Sequence, residues 1–186
     1  MMRRALPALV LPAAILATLA TANAALNLGT KAPEFSAQAS LGGRVFTFDL
    51  AQALRRGPVV LYFYPAAFTT GCTIEAHDFA DAIDRYKALG ATVIGVSHDT
   101  IGTLDRFSTS ECRSKFPVAA DPQLDVARAY DAVLPQHPAY ANRTSYVIVP
   151  DGTIIYAYTN LDPSDHVKNT LAALQAWEAA HPTPRP

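Results

Sequence analysis

PVVLYFYPAAFTTGCTIEAHDFADAIDRYKALGATVIGVS, residues 58–97, contains the alternation that decides the fold. Its first part, PVVLYFY (58–64), is an unbroken apolar run rich in branched and aromatic residues, as in a strand buried on both faces. From Cys72 onward, CTIEAHDFADAIDRYKALG predicts a helix with Phe79, Ile83, Tyr86 and the neighbouring Ile74 near one face, ended by a left-handed turn at Gly90. ATVIGVS (91–97) then reads as a second buried strand. Strand, helix and strand with short links make a right-handed parallel crossover.

Working outward, Thr100 to about Cys112 is expected to be helical, FPVAAD (116–121) a short strand entering a turn, and Leu124–Tyr130 another short helix. TSYVIV and TIIYAY flank PDG (150–152), which predicts an antiparallel hairpin. A last helix is expected within SDHVKNTLAALQAWEAA, capped by Ser164 or Asp165, with Val167, Leu171, Leu174 and Trp177 as its apolar stripe. The segment before residue 58, containing GTKAPEF (29–35), is read as a polar opening. With 186 residues, half of them hydrophobic, one core and one domain are expected. The expected class is α/β: a mixed central β-sheet flanked by α-helices, in the element order of a thioredoxin-like fold.

The amino terminus reads differently from the rest. MMRR is followed by an uncharged apolar stretch that ends in small residues, Ala22, Asn23 and Ala24. That is the outline of a secretory signal, so residues 1–24 are expected to be cleaved and residues 25–186 to form the exported domain, with a periplasmic location implied. Pro7 and Pro12 interrupt the run and argue against a retained anchor, and no membrane association is expected for the mature chain. The formal net charge of −1 becomes −3 without Arg3 and Arg4, a balance that gives no sign of nucleic-acid binding. Five scattered histidines and two cysteines forty positions apart have no metal-ligand spacing, so no metal and no cofactor are expected.

Those cysteines, Cys72 and Cys112, admit a structural disulfide in an exported protein. The surroundings of Cys72 point elsewhere. A cysteine in the first turn of a helix lies among free N–H groups at the positive end of the dipole, a place that favours the nucleophilic thiolate. Thr69 can offer a hydroxyl beside the sulfur, and Pro65 can fix the loop as it leaves the strand. An attacking thiolate with donors for two oxygens is what hydroperoxide reduction requires.

PAAFTTGC (65–72) resembles the peroxiredoxin active-site pattern Pro-x-x-x-Thr-x-x-Cys, with Pro65, Thr69 and Cys72 at its fixed positions. GTKAPEF, VIGVSHDT, FPVAAD and RTSYVIVPDG extend the resemblance over nearly the whole chain after residue 24, in the manner of the bacterioferritin-comigratory or peroxiredoxin Q branch. It implies a thiol peroxidase with Cys72 as peroxidatic cysteine, Thr69 as its hydroxyl partner, Pro65 shielding the site and Arg143 facing the sulfur. An always-charged donor fork at Arg143 would stabilise thiolate and oxyanion alike. Many members of that branch carry a second cysteine five residues after the first; here the position holds His77, read as a solvated or packed helix residue, and His98 is read as a surface residue. Cys112 is then the candidate resolving thiol, with a thioredoxin-like protein as reductant. A thiol-disulfide interchange protein and a binding module with structural cysteines remain as alternatives.

Overall fold

The computed structural model describes residues 25–182, so the expected signal segment, residues 1–24, lies outside the described residues. Seven strands form one sheet in the order β2-β1-β5-β4-β3-β6-β7. The central crossover matches the reading from sequence: β3 (Val59–Phe63), α2 (Thr70–Ala88) and β4 (Thr92–Ser97), with β3 and β4 parallel. Side chains of β3 alternate between two cores. Val60 and Tyr62 join one with α2, α3 (Ile101–Ser110) and α5 (His166–Ala180), whereas Val59, Leu61 and Phe63 join the other with α1 (Leu50–Leu54) and α4 (Asp125–Ala129). Every residue of β3 is therefore buried. β5 (Val118–Ala120) extends the parallel part, and β6 (Thr144–Ile148) with β7 (Ile154–Thr159) forms the expected antiparallel hairpin beside β3. No helix among the described residues is long and apolar enough to cross a membrane.

Several details differ from the expectation. The supposed polar opening contains a hairpin, β1 (Ser36–Leu41) and β2 (Arg44–Asp49), joined by Gly42 and Gly43. Their φ values of 57° and 79° are those of a primed two-residue turn, which glycine alone enters without strain. Ile74 is 46% exposed, because it lies about 140° around α2 from Phe79 and off the buried face. α3 stops at Ser110, so Cys112 lies beyond it, where Arg113 and Ser114 turn left-handed. Neither Ser164 nor Asp165 caps the last helix through its side chain; Asp162 instead accepts from the Ser164 N–H at the start of a short 3-10 turn.

Candidate active site

The chain passes from β3 to α2 through Tyr64–Thr69, at the end of the sheet where α/β domains place their sites. This loop is tied to the segment that follows β4. His98 Nδ1 donates to the Pro65 carbonyl at 2.8 Å, and the Ala67 N–H donates to Asp99 Oδ2 at 2.7 Å, an oxygen that also accepts from Ser97. His98 is thus half-buried against the loop and Tyr140, which corrects its reading as a surface residue. Phe68 takes a left-handed φ of 64° and sets its ring edge-on to Phe107. Thr69 is the N-cap of α2, and its hydroxyl donates to the Ala66 carbonyl at 2.9 Å. With its single hydrogen used there, Thr69 does not donate to the sulfur in this state.

Cys72, on the first turn of α2, is 2% exposed, and its Sγ lies 3.4 Å from Arg143 Nη2. A Cβ on the adjacent Gly71 would sit 3.1 Å from the same nitrogen, so the guanidinium passes over a residue that has no side chain to obstruct it. Arg143, immediately before β6, engages all three nitrogens of its fork: Nε donates to the Leu161 carbonyl at 2.9 Å, Nη1 to Glu75 Oε2, and Nη2 to Cys72. Glu75 shares the buried face of α2 with Cys72, being three residues on. Its second oxygen, Oε1, has no hydrogen-bond partner and lies 3.7 Å from Nδ1 of the fully buried His166. His166 in turn contacts Ser145 Oγ through Nδ1 at 2.7 Å and donates from Nε2 to the Asn160 carbonyl at 2.9 Å. Burial pushes the Glu75 carboxyl up to about 8 against the pull of Arg143. Burial likewise lowers His166 to about 4. Desolvation opposes the Arg143 charge, yet Glu75 and Cys72 hold its pKa above the ordinary value.

The pattern of the AhpC/TSA family matches residues 28–157, more than half of the chain. The chain belongs to the AhpC/TSA family. Among its relatives, Peroxiredoxin Bcp of Xanthomonas campestris pv. campestris is 30% identical over 147 residues, which span 70% of this chain and 91% of that one. The chloroplastic Peroxiredoxin Q of Triticum aestivum is 35% identical over 119 residues, 63% of this chain and 54% of that one. Among solved structures, Peroxidoxin BcpB of Mycobacterium tuberculosis superposes with a TM-score of 0.73 at 29% identity, covering 80% of this chain and 96% of that one. The expected thioredoxin-like peroxiredoxin fold and family are therefore correct, and the chain is a peroxiredoxin, an enzyme of the thiol peroxidase class.

In this peroxiredoxin the two cysteines are free thiols packed in the same apolar cluster. Cys112 is fully buried, and burial, reinforced by Glu111, drives its thiol well above the usual range. Tyr62 and Tyr64 belong to the same buried cluster. His77 packs its Nε2 3.0 Å from Glu111 Oε2, joining α2 to the turn that carries Cys112. Glu75 and His166 were absent from the sequence reading. An acid on the apolar stripe three residues after Cys72 was the available signal for Glu75; nothing local marks His166, whose partners come from β6 and the loop after β7.

These two shifts have opposite effects on stability. Folded Glu75 keeps a proton that the unfolded chain releases above about 4.5, so its contribution falls as pH rises from there to about 8. Folded His166 titrates below its unfolded value, so its contribution rises from about pH 4 to 6.5. They offset one another up to about pH 6.5, above which only the loss from Glu75 remains. Thermal unfolding is therefore expected to occur at a lower temperature at pH 8 than at pH 6.5, with a smaller drop in Glu75→Gln. An equal drop in both proteins would remove Glu75 from this account.

Proposed function

We propose that this chain reduces hydrogen peroxide and organic hydroperoxides with the thiolate of Cys72. The observation that supports this reading best is the 3.4 Å contact between Arg143 Nη2 and the nearly buried Cys72 Sγ. The thiolate attacks the terminal peroxide oxygen: an S–O bond forms, the O–O bond breaks, and Cys72 becomes a sulfenic acid while the peroxide leaves as an alkoxide or hydroxide. Arg143 and the free N–H groups of the first turn of α2 stabilise negative charge before and after the transfer. Thr69, exposed at the mouth, turns its hydroxyl from Ala66 to the incoming peroxide, and Pro65 shields the sulfur. No cofactor takes part.

Cys112 then attacks the sulfenic sulfur, expels water and forms an intramolecular disulfide, which a thioredoxin-like protein reduces. Both thiols are buried on packed elements, so the first turn of α2 and the turn after α3 open before the sulfurs meet. That opening also frees Cys112 from the burial that suppresses its ionisation. One equivalent of hydrogen peroxide is expected to give a Cys72-Cys112 cross-linked peptide in mass spectrometry, and Cys112→Ser to accumulate sulfenic and then sulfinic acid at Cys72. A disulfide between chains, or stable sulfenic acid in the wild type, would remove Cys112 from the mechanism. The interchange alternative is not favoured: the chain has no Cys-x-x-Cys pair, and the relatives bear peroxiredoxin names.

We also propose export to the periplasm, on the strength of the basic start, apolar run and small residues before Ala25. The mature protein from a periplasmic extract is expected to begin at Ala25 when its intact mass is measured; a mass retaining Arg3 and Arg4 would refute cleavage.

A further inference from the structure

Around Arg143 the structure gathers one fixed cation and two groups able to become anions, Cys72 and Glu75, all nearly excluded from water. Two anions beside a single cation would leave a net negative charge in a buried site, which is costly. The proton positions are constrained by geometry. His166 Nε2 donates to the Asn160 carbonyl, so in the neutral ring Nδ1 carries a lone pair, which accepts from Ser145 Oγ. Glu75 Oε1 faces that nitrogen and receives no donor from any side. An ionised oxygen there would be a buried, unpartnered charge opposed to a lone pair, whereas an O–H carries no charge to desolvate and can turn its hydrogen toward that lone pair.

We propose that Glu75 is a neutral acid with its proton on Oε1 while Cys72 is a thiolate, that His166 keeps it so, and that Glu75 releases this proton as peroxide removes the charge from Cys72. Arg143 thereby faces one anion at every stage, Cys72 before the reaction and Glu75 after it. This rests on the assignment of Cys72 as the peroxide-reacting thiolate. The step balances: Cys72–S⁻, Glu75–COOH and ROOH give Cys72–S–OH, Glu75–COO⁻ and ROH. Sulfur loses two electrons to the peroxide, and the proton lost by Glu75 to solvent offsets the one the leaving oxygen gains from solvent. The high carboxyl pKa and low imidazole pKa agree with this arrangement. The other ionisable groups around the pair are Cys72 and Asp78 on α2, the Tyr62 hydroxyl on β3, Arg143 before β6, and Asp162 and Asp165 beside His166. Glu75 and His166 are positioning residues here, acting on the sulfur through Arg143.

The test uses Cys112→Ser, which halts the reaction at the sulfenic acid, mixed with one equivalent of hydrogen peroxide near pH 7 in weak buffer containing an indicator dye. The proposal expects almost no net proton uptake per sulfenic acid formed, against one proton taken up when Glu75→Gln is added to that background. Infrared difference spectra of the same reaction in protein with native Glu75 should show a protonated-carboxyl band disappear, which needs no change at Glu75. His166→Ala should already take up a proton, because the carboxyl is ionised before peroxide arrives. One proton per turnover with native Glu75 and no carboxyl band, while Cys72 gains its oxygen, would overturn the proposal alone. Absence of oxygen on Cys72 by mass would overturn the nucleophile assignment beneath it.

Discussion

Cys72→Ser is expected to lose peroxide consumption by more than about a thousandfold, because a serine hydroxyl is not ionised at neutral pH and cannot take an oxygen as sulfur does. Its fold should survive. The side chain is buried but small, the hydroxyl still accepts from Arg143 Nη2, and replacing sulfur by oxygen leaves little void. Initial-rate measurements with hydrogen peroxide, paired with thermal unfolding, separate the two effects. Wild-type turnover in a folded Cys72→Ser protein would end the thiolate mechanism. Inactivity accompanied by unfolding would instead show that Cys72 holds the helix start in place, contrary to the expectation.

Arg143→Ala should slow sulfenic acid formation by about a hundred- to a thousandfold, the usual cost of removing a preorganised donor to a developing oxyanion. It also strands Glu75 and the Leu161 carbonyl, which are bonded by Nη1 and Nε. Breaking a buried ion pair from one side commonly costs about 3–5 kcal/mol. Here the loss should lie toward the lower end below pH 8, since the carboxyl at about 8 escapes the penalty by keeping its proton. Arg143→Lys retains a cation, yet one ammonium on a flexible stem cannot hold the carbonyl, the carboxyl and the sulfur in the fixed directions of the fork. Lysine is therefore expected to restore more stability than rate. Equal recovery of both in stopped-flow and unfolding measurements would mean that charge alone suffices at this position.

Much of this molecule was legible before any coordinates. The run at 58–64 suited a strand covered on both sides, as it is, and the spacing of Phe79, Ile83 and Tyr86 pointed to a helix after it. The resemblance of PAAFTTGC and RTSYVIV to a known pattern pointed to Pro65, Thr69, Cys72 and Arg143, and the fold brings Cys72 and Arg143 into contact. The first hairpin is less legible, because the segment around GTKAPEF is polar and only the Gly42-Gly43 pair between SAQASL and RVFTFD marks its turn.

Local spacing determined which elements form and placed Cys72 at a helix start, because helix and strand periods and the dipole are properties of a few neighbouring residues. The charge state of the site was decided elsewhere. Glu75 reaches Arg143 across 68 positions of sequence, and His166 meets Ser145 across 21. Only packing α2, β6 and α5 together removes water from these groups. That desolvation raises the acid, lowers the imidazole and makes the location of one proton matter, effects that do not exist in the separated segments.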